Sequence, residues 1–157
     1  MVEGRELLCF SSNNYLGFAN HPTLAAAGIA ALTTSGSGSG ASRLISGNMA
    51  AHAEAEAALA AYVAQPAARL FSSGYAANVG SLQALTEPGD ILFSDALNHA
   101  SMIDGCRLSR ARVERYRHVD LGHLRDLLIA LRPKAHRAFI VTDALFSMDG
   151  DVAPLGA

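Results

Sequence analysis

Ile91-Leu92-Phe93-Ser94-Asp95-Ala96-Leu97-Asn98-His99-Ala100-Ser101-Met102-Ile103 passes from one kind of secondary structure to another within a few residues. Ile91 to Phe93 is an apolar run set off upstream by the turn Glu87-Pro88-Gly89-Asp90, which marks a short buried strand. From Ala100 to about Ser109 the spacing turns helical. The same alternation continues downstream. Val113 to Tyr116 reads as a strand. Asp120 caps a helix that carries Leu121, Leu124, Leu127, Leu128 and Leu131 on one face and ends at Pro133. Ala138 to Thr142, Ala-Phe-Ile-Val-Thr, reads as a buried strand rich in β-branched residues. Upstream, Ala68 to Phe71 reads as a short buried strand and Tyr75 to Leu85 as a helix. Strands alternating with helices predict an α/β fold with a mostly parallel sheet covered by helices. In such sheets ligands bind beyond the carboxyl ends of the strands.

The first part of the chain is organised differently. Glu6 to Phe10 reads as a short strand and Asn13-Asn14-Tyr15-Leu16-Gly17 as a turn. His21-Pro22 opens a helix to about Leu32, because proline at the first helical position loses no hydrogen bond. Ser35 to Ser42, Ser-Gly-Ser-Gly-Ser-Gly-Ala-Ser, is a flexible loop. Asn48 is expected to cap a second helix, about Met49 to Val63, stopped near Pro66.

Composition narrows the function. Only 17% of the residues are charged and half are apolar, so the 157-residue chain is expected to fold around a core. A formal net charge of −2 without a long basic run argues against nucleic acid or a membrane surface as partner. No apolar stretch is long enough to span a bilayer, and the first ten residues lack a signal-peptide core. The two cysteines, Cys9 and Cys106, form no motif and are expected to be reduced cytoplasmic thiols. The histidines at 21, 52, 118, 123 and 136 show no ligand spacing, so no metal is expected. Eleven arginines stand against one lysine, Lys134.

Four segments are candidate sites, each with a plainer alternative. Phe71-Ser72-Ser73-Gly74-Tyr75-Ala76-Ala77-Asn78 lies where a strand gives way to a helix, so the free amides of the first turn suit an anion; a serine-capped turn is the alternative. Ser35 to Ser42 superficially matches a dinucleotide fingerprint through Gly36, Gly38 and Ala41, but a helix precedes it and no βαβ unit surrounds it. It reads better as a mobile loop near a site or subunit interface. Asp95, Asn98 and His99 follow the Ile91 strand and are polar for a core; His99 suits ring stacking or proton transfer, while Asn98 or His99 capping the next helix is the alternative. Asp143 to Asp151 follows the last strand and presents Ser147, with a simple Asp-Gly turn as the alternative.

Taken in order, Asn13-Asn14-Tyr15-Leu16-Gly17, Ser42-Arg43-Leu44-Ile45-Ser46-Gly47, Ser73 to Asn78, Asp95 to Ser101 and Phe146-Ser147-Met148-Asp149-Gly150-Asp151 resemble the α-oxoamine synthase family over nearly the whole chain. The resemblance implies part of the large domain of a three-layer α/β/α, fold type I transferase dependent on pyridoxal 5′-phosphate (PLP). Residues 1–48 would be an N-terminal segment with the Gly-rich loop, and residues 49–157 the first part of the PLP-binding domain. The implied reaction condenses an amino acid with an acyl thioester, in most members with loss of carbon dioxide. Position by position, Gly74 and Tyr75 match the phosphate loop, and His99 the histidine on the cofactor ring that also meets substrate. Ser147 matches the partner of the cofactor's phenolic oxygen, and Asn13 a residue near the substrate carboxylate.

Within the family, Ser72-Ser73-Gly74-Tyr75 resembles the branch that joins L-alanine to a pimeloyl thioester for biotin synthesis. The glycine-acetyltransferase branch usually has Cys-Phe-Asp in place of Gly-Tyr-Ala. The resemblance further implies a cytoplasmic homodimer. It places the cofactor-anchoring lysine, the aspartate that pairs with the pyridine nitrogen and the small domain after residue 157, and Lys134 does not align with that lysine. The alternative from another class is a non-catalytic homologue that binds a phosphate-bearing ligand or a partner.

Overall fold

The computed structural model describes residues 3–156 and divides into two units, Met1–Ala68 and Arg69–Ala157. The first unit holds two helices, α1 (Pro22–Ser35) and α2 (Ala50–Tyr62). Pro22 starts α1 as expected, and the His21 side chain accepts from the Thr23 amide. The helix continues three residues past Leu32, where the Gly36 amide donates to Leu32 O at 3.0 Å. Asn48 does not cap α2. Its Oδ1 accepts from Arg43 Nε and Nη2 at 2.9 and 2.8 Å, and Met49 occupies the cap position. The His52 ring satisfies the Met49 amide instead, at 3.0 Å. Glu6 to Phe10 forms no strand, and neither does Ala68 to Phe71, where Leu70 and Phe71 are exposed.

The second unit follows the alternation closely. Its elements are α3 (Gly74–Leu85), β1 (Ile91–Asp95), α4 (Ala100–Leu108), β2 (Arg112–Tyr116), α5 (Leu121–Leu131), a 3-10 turn (Arg132–Lys134) and β3 (Ala138–Val141). The sheet order is β2-β1-β3, and both pairings are parallel. β1 is central and buried throughout, which explains its unbroken apolar start. β3 is an edge with Ile140 exposed, so its β-branched run does not make it a fully buried strand.

Two cores form on opposite faces of the sheet. Ile91, Phe93, Tyr116 and Leu124 pack with the leucine face of α5, while Leu92 and Val141 pack with Met102 and Cys106 of α4 and with Leu82 of α3. The unit is therefore three-layered. Gly89 pins the entry to β1. Its φ of +97° suits glycine, and a Cβ there would stand 2.6 Å from His136 Nδ1. Beside it Asp90 is buried and accepts from the Glu87 amide at 2.9 Å and from Arg137 Nη2 at 2.7 Å. The Arg137 guanidinium holds the Asp90 carboxyl below the usual carboxylate range.

Candidate functional site

α3 begins at Ser73, whose Oγ accepts from the Ala76 amide at 3.1 Å, and the Ala77 amide bonds to Ser73 O at 3.0 Å. That leaves the amides of Gly74 and Tyr75 without a hydrogen bond among the described residues. A Cβ on Gly74 would meet nothing within 4 Å, so open space lies above these donors. Two free N–H groups at the positive end of a helix suit a phosphate. The Tyr75 phenol swings onto α4 and donates to Asp104 Oδ2 at 2.6 Å, which raises its pKa.

His99 caps α4, so the plainer alternative is true of this residue, but only for one ring nitrogen. The Ser101 amide donates to His99 Nδ1 at 3.2 Å. Because a backbone amide only donates, Nδ1 carries no proton and Nε2 carries the hydrogen of the neutral ring. Ser101, fully buried, also places its Oγ 2.7 Å from Nδ1, and Asn78 Nδ2 of α3 donates to that Oγ at 2.9 Å. The imidazole is thus oriented through α3, and His99 as a residue is exposed.

A second clasp joins the carboxyl ends of β1 and β3. Asn98 is buried; its Nδ2 donates to Val141 O at 2.7 Å and to Ser94 Oγ at 3.0 Å, and its Oδ1 accepts from the Asp143 amide at 3.0 Å. Asp143 Oδ2 returns the bond by accepting from the His99 amide at 2.8 Å. Asn98 therefore brings the His99 loop and the loop after β3 together. Between them lies a cavity of about 440 Å³ lined by His99, Ala100, Leu145, Phe146, Ser147 and Met148, among others. That volume falls in the range of small-molecule sites. The structure thus joins His99 and Ser147 in one cavity. Gly74 and Tyr75 do not line it; Asn78 and Tyr75 tie their helix to α4 beside it. Asn13 lies in the first unit, exposed, with its Oδ1 accepting from the Tyr15 hydroxyl at 3.4 Å.

Asp95 is 1% exposed and lies outside this cavity. It accepts from the amides of Leu97 and Val119, each at 2.9 Å, and its Oδ1 meets His118 Nδ1 at 2.9 Å. Burial pushes its pKa up, but these bonds outweigh burial and hold the carboxyl below its ordinary value. In the sequence His118 shows no metal-ligand spacing and nothing else local marks it. Its signal was positional, because it follows β2 at the same carboxyl rim. Among the described residues no group of His, Cys, Asp and Glu is arranged to hold a metal, and no helix is long and apolar enough to cross a membrane.

PLP needs an anion cradle, a flat surface for its ring and a hydrogen-bond donor for its phenolic oxygen. Free helix amides, an oriented imidazole and an exposed serine on a cavity wall fit those needs.

Comparison with known proteins covers nearly the whole chain. Residues 5–157 match the family described as Aminotransferase class I and II. The chain is 55% identical over 157 residues to 8-amino-7-oxononanoate synthase of Geobacter sulfurreducens, covering all of this chain and 40% of that protein. It is 49% identical over 155 residues to the enzyme of the same name from Thermoanaerobacter pseudethanolicus, covering 99% and 39%. It also resembles the solved serine palmitoyltransferase of Sphingomonas wittichii, with a TM-score of 0.87 and 39% identity over 90% of this chain and 35% of that one. An 8-amino-7-oxononanoate synthase structure from Francisella tularensis gives a TM-score of 0.76 at 30% identity, covering 94% and 40%. The chain spans about two fifths of the length of the curated relatives it matches.

Proposed function

The chain belongs to the class I and II aminotransferase family, and from that premise we propose that it forms the phosphate- and ring-cradling part of a PLP-dependent acyltransferase. The reaction is the condensation of L-alanine with a pimeloyl thioester, on coenzyme A or a carrier protein, with loss of carbon dioxide, in biotin synthesis. One observation carries this reading. Relatives named 8-amino-7-oxononanoate synthase align with 98–100% of the chain at 48–55% identity. The fold is that of PLP-dependent fold type I enzymes, to which the matched serine palmitoyltransferases belong.

When bound, PLP supplies an electron sink for the carbanion at the amino acid's α-carbon. The family resemblance assigns the roles of this chain's residues. The free amides of Gly74 and Tyr75 would hold the phosphate. His99 would lie against the cofactor ring, with Nδ1 engaged by the Ser101 amide and Nε2 left as the donor of the neutral ring. Ser147 would donate to the phenolic oxygen. Asn13 is assigned to the substrate carboxylate. Lys134 is not the covalent anchor: it sits in the 3-10 turn before β3, at the amino end of the sheet, whereas the cavity lies past the carboxyl ends.

A second reading is favoured by the solved neighbours, because serine palmitoyltransferases match at 38–39% identity against 30% for the synthase structure. The test is thiol release by the complete gene product, with alanine, glycine and serine each offered against acetyl, pimeloyl and palmitoyl thioesters. Alanine with the pimeloyl thioester is expected to give the highest kcat/KM. A preference for serine with palmitoyl, or glycine with acetyl, would overturn the substrate assignment.

A further inference from the structure

His118 sits between two carboxylates from different parts of the sheet. Its Nδ1 is 2.9 Å from Asp95 Oδ1 at the end of β1, and its Nε2 is 2.7 Å from Asp151 Oδ2 in the loop after β3. A neutral imidazole has one N–H, and only the imidazolium donates from both nitrogens. With Asp95 held ionised by two backbone amides, both contacts require donors from His118. Asp151 Oδ1 is buried with no partner among the described residues, and Oδ2 is the oxygen that meets His118. The Phe146 ring meets the imidazole edge-on at 4.5 Å. Residues 146 and 151 also close on each other, with the Phe146 amide donating to Asp151 O at 2.9 Å and the Gly150 amide to Phe146 O at 2.7 Å. His118 therefore grips both ends of the loop that carries Ser147.

We propose that His118 is a positioning residue: as an imidazolium it docks the Phe146–Asp151 loop against Asp95 and so places Ser147 in the cavity. Its surroundings are consistent from every side. Asp95 and Asp151 face it, Tyr116 pairs with Asp95 in the β1–β2 register, and Arg117 and Asp120 on its own segment neutralise each other at 2.7 Å. Hydrogen bonding to Asp95 and then to Asp151 raises the His118 pKa. A raised pKa means the docked loop is stabilised at low pH and released as pH rises through that value. The assigned role of Ser147 rests on the proposed function; the docking does not.

The test is NMR of the full chain labelled with ¹⁵N. Both His118 ring nitrogens should be protonated below a midpoint higher than the ordinary imidazole value of about 6.5. The amides of Ser147, Met148 and Gly150 should move with that midpoint, and Asp151→Asn should lower it. Loop amides that stay unchanged through the His118 titration, or a single protonated ring nitrogen at low pH, would overturn the docking without any variant having to fold. The second arm follows PLP binding by absorbance. Affinity should fall about tenfold across the His118 titration, the loss of roughly one hydrogen bond, and His118→Gln should remove that step. Affinity that stays flat while the loop amides move overturns the positioning of Ser147. A chain that binds no PLP at any pH contradicts the proposed function, and the docking is then decided by the amides alone.

Discussion

Ser101 shows how one buried serine decides what a histidine can do. Its amide and Oγ both address His99 Nδ1, at 3.2 and 2.7 Å, and Asn78 fixes the hydroxyl in turn. Ser101→Ala removes the hydroxyl contact and leaves Asn78 without its partner; a lost buried hydrogen bond of this kind costs roughly 1–3 kcal/mol. The expected outcome is a stability loss of that size in urea unfolding, with the His99 tautomer unchanged because the residue-101 amide still donates to Nδ1. Ser73→Ala should cost about 1 kcal/mol, the usual worth of a serine N-cap, again by urea unfolding. His99, Ser147 and the Gly74-Tyr75 pair can be singled out in the sequence because each follows a strand or opens a helix. His118 cannot, because its partners, Asp95 and Asp151, are far away in sequence. Contacts between distant segments leave no local pattern. Asn98 both lines the cavity and ties the strand ends together, and the tie is visible only from its burial and partners.

At the scale of elements, the α3–α4 pair sets the geometry of the site. Gly105 lets the two helices approach: a Cβ there would lie 2.8 Å from Leu82 Cδ1 and 3.1 Å from Asn78 O. Gly105→Ala should therefore destabilise the chain by roughly 1–3 kcal/mol through overpacking, measured by urea unfolding. It should also shift the Asn78 and Ser101 amides, because the strained contact is with Asn78 itself. A neutral or stabilising effect would mean that the helices separate freely. The second unit was legible because its alternation of short apolar runs, turns and capped helices repeats across the chain. Ala68 to Phe71 and Glu6 to Phe10 were read as strands on local composition alone. A strand needs a pairing partner, which local composition does not supply. Asn48 was misjudged for a related reason: Arg43 competes for its side chain and wins with two charge-assisted bonds.

At the scale of the whole molecule, β2 and β3 are sheet edges, and Ile129, Ile140 and Leu155 are exposed beside them. Open edges with apolar neighbours favour association, so sedimentation of the chain should show concentration-dependent self-association; a single monomeric species over a wide concentration range would contradict this. Lys134 and the cavity lie at opposite ends of β3, a separation of roughly 13 Å along that strand alone. Borohydride reduction with PLP should therefore leave no stoichiometric pyridoxyl group on Lys134, as read by peptide mapping.

The most direct measurement is a ¹⁵N NMR titration of the chain with PLP. Saturable shifts are predicted to centre on the amides of Gly74, Tyr75, His99 and Ser147, with inorganic phosphate competing at Gly74 and Tyr75 alone. Shifts centred elsewhere, or no saturable change at these residues, would contradict the cofactor cradle.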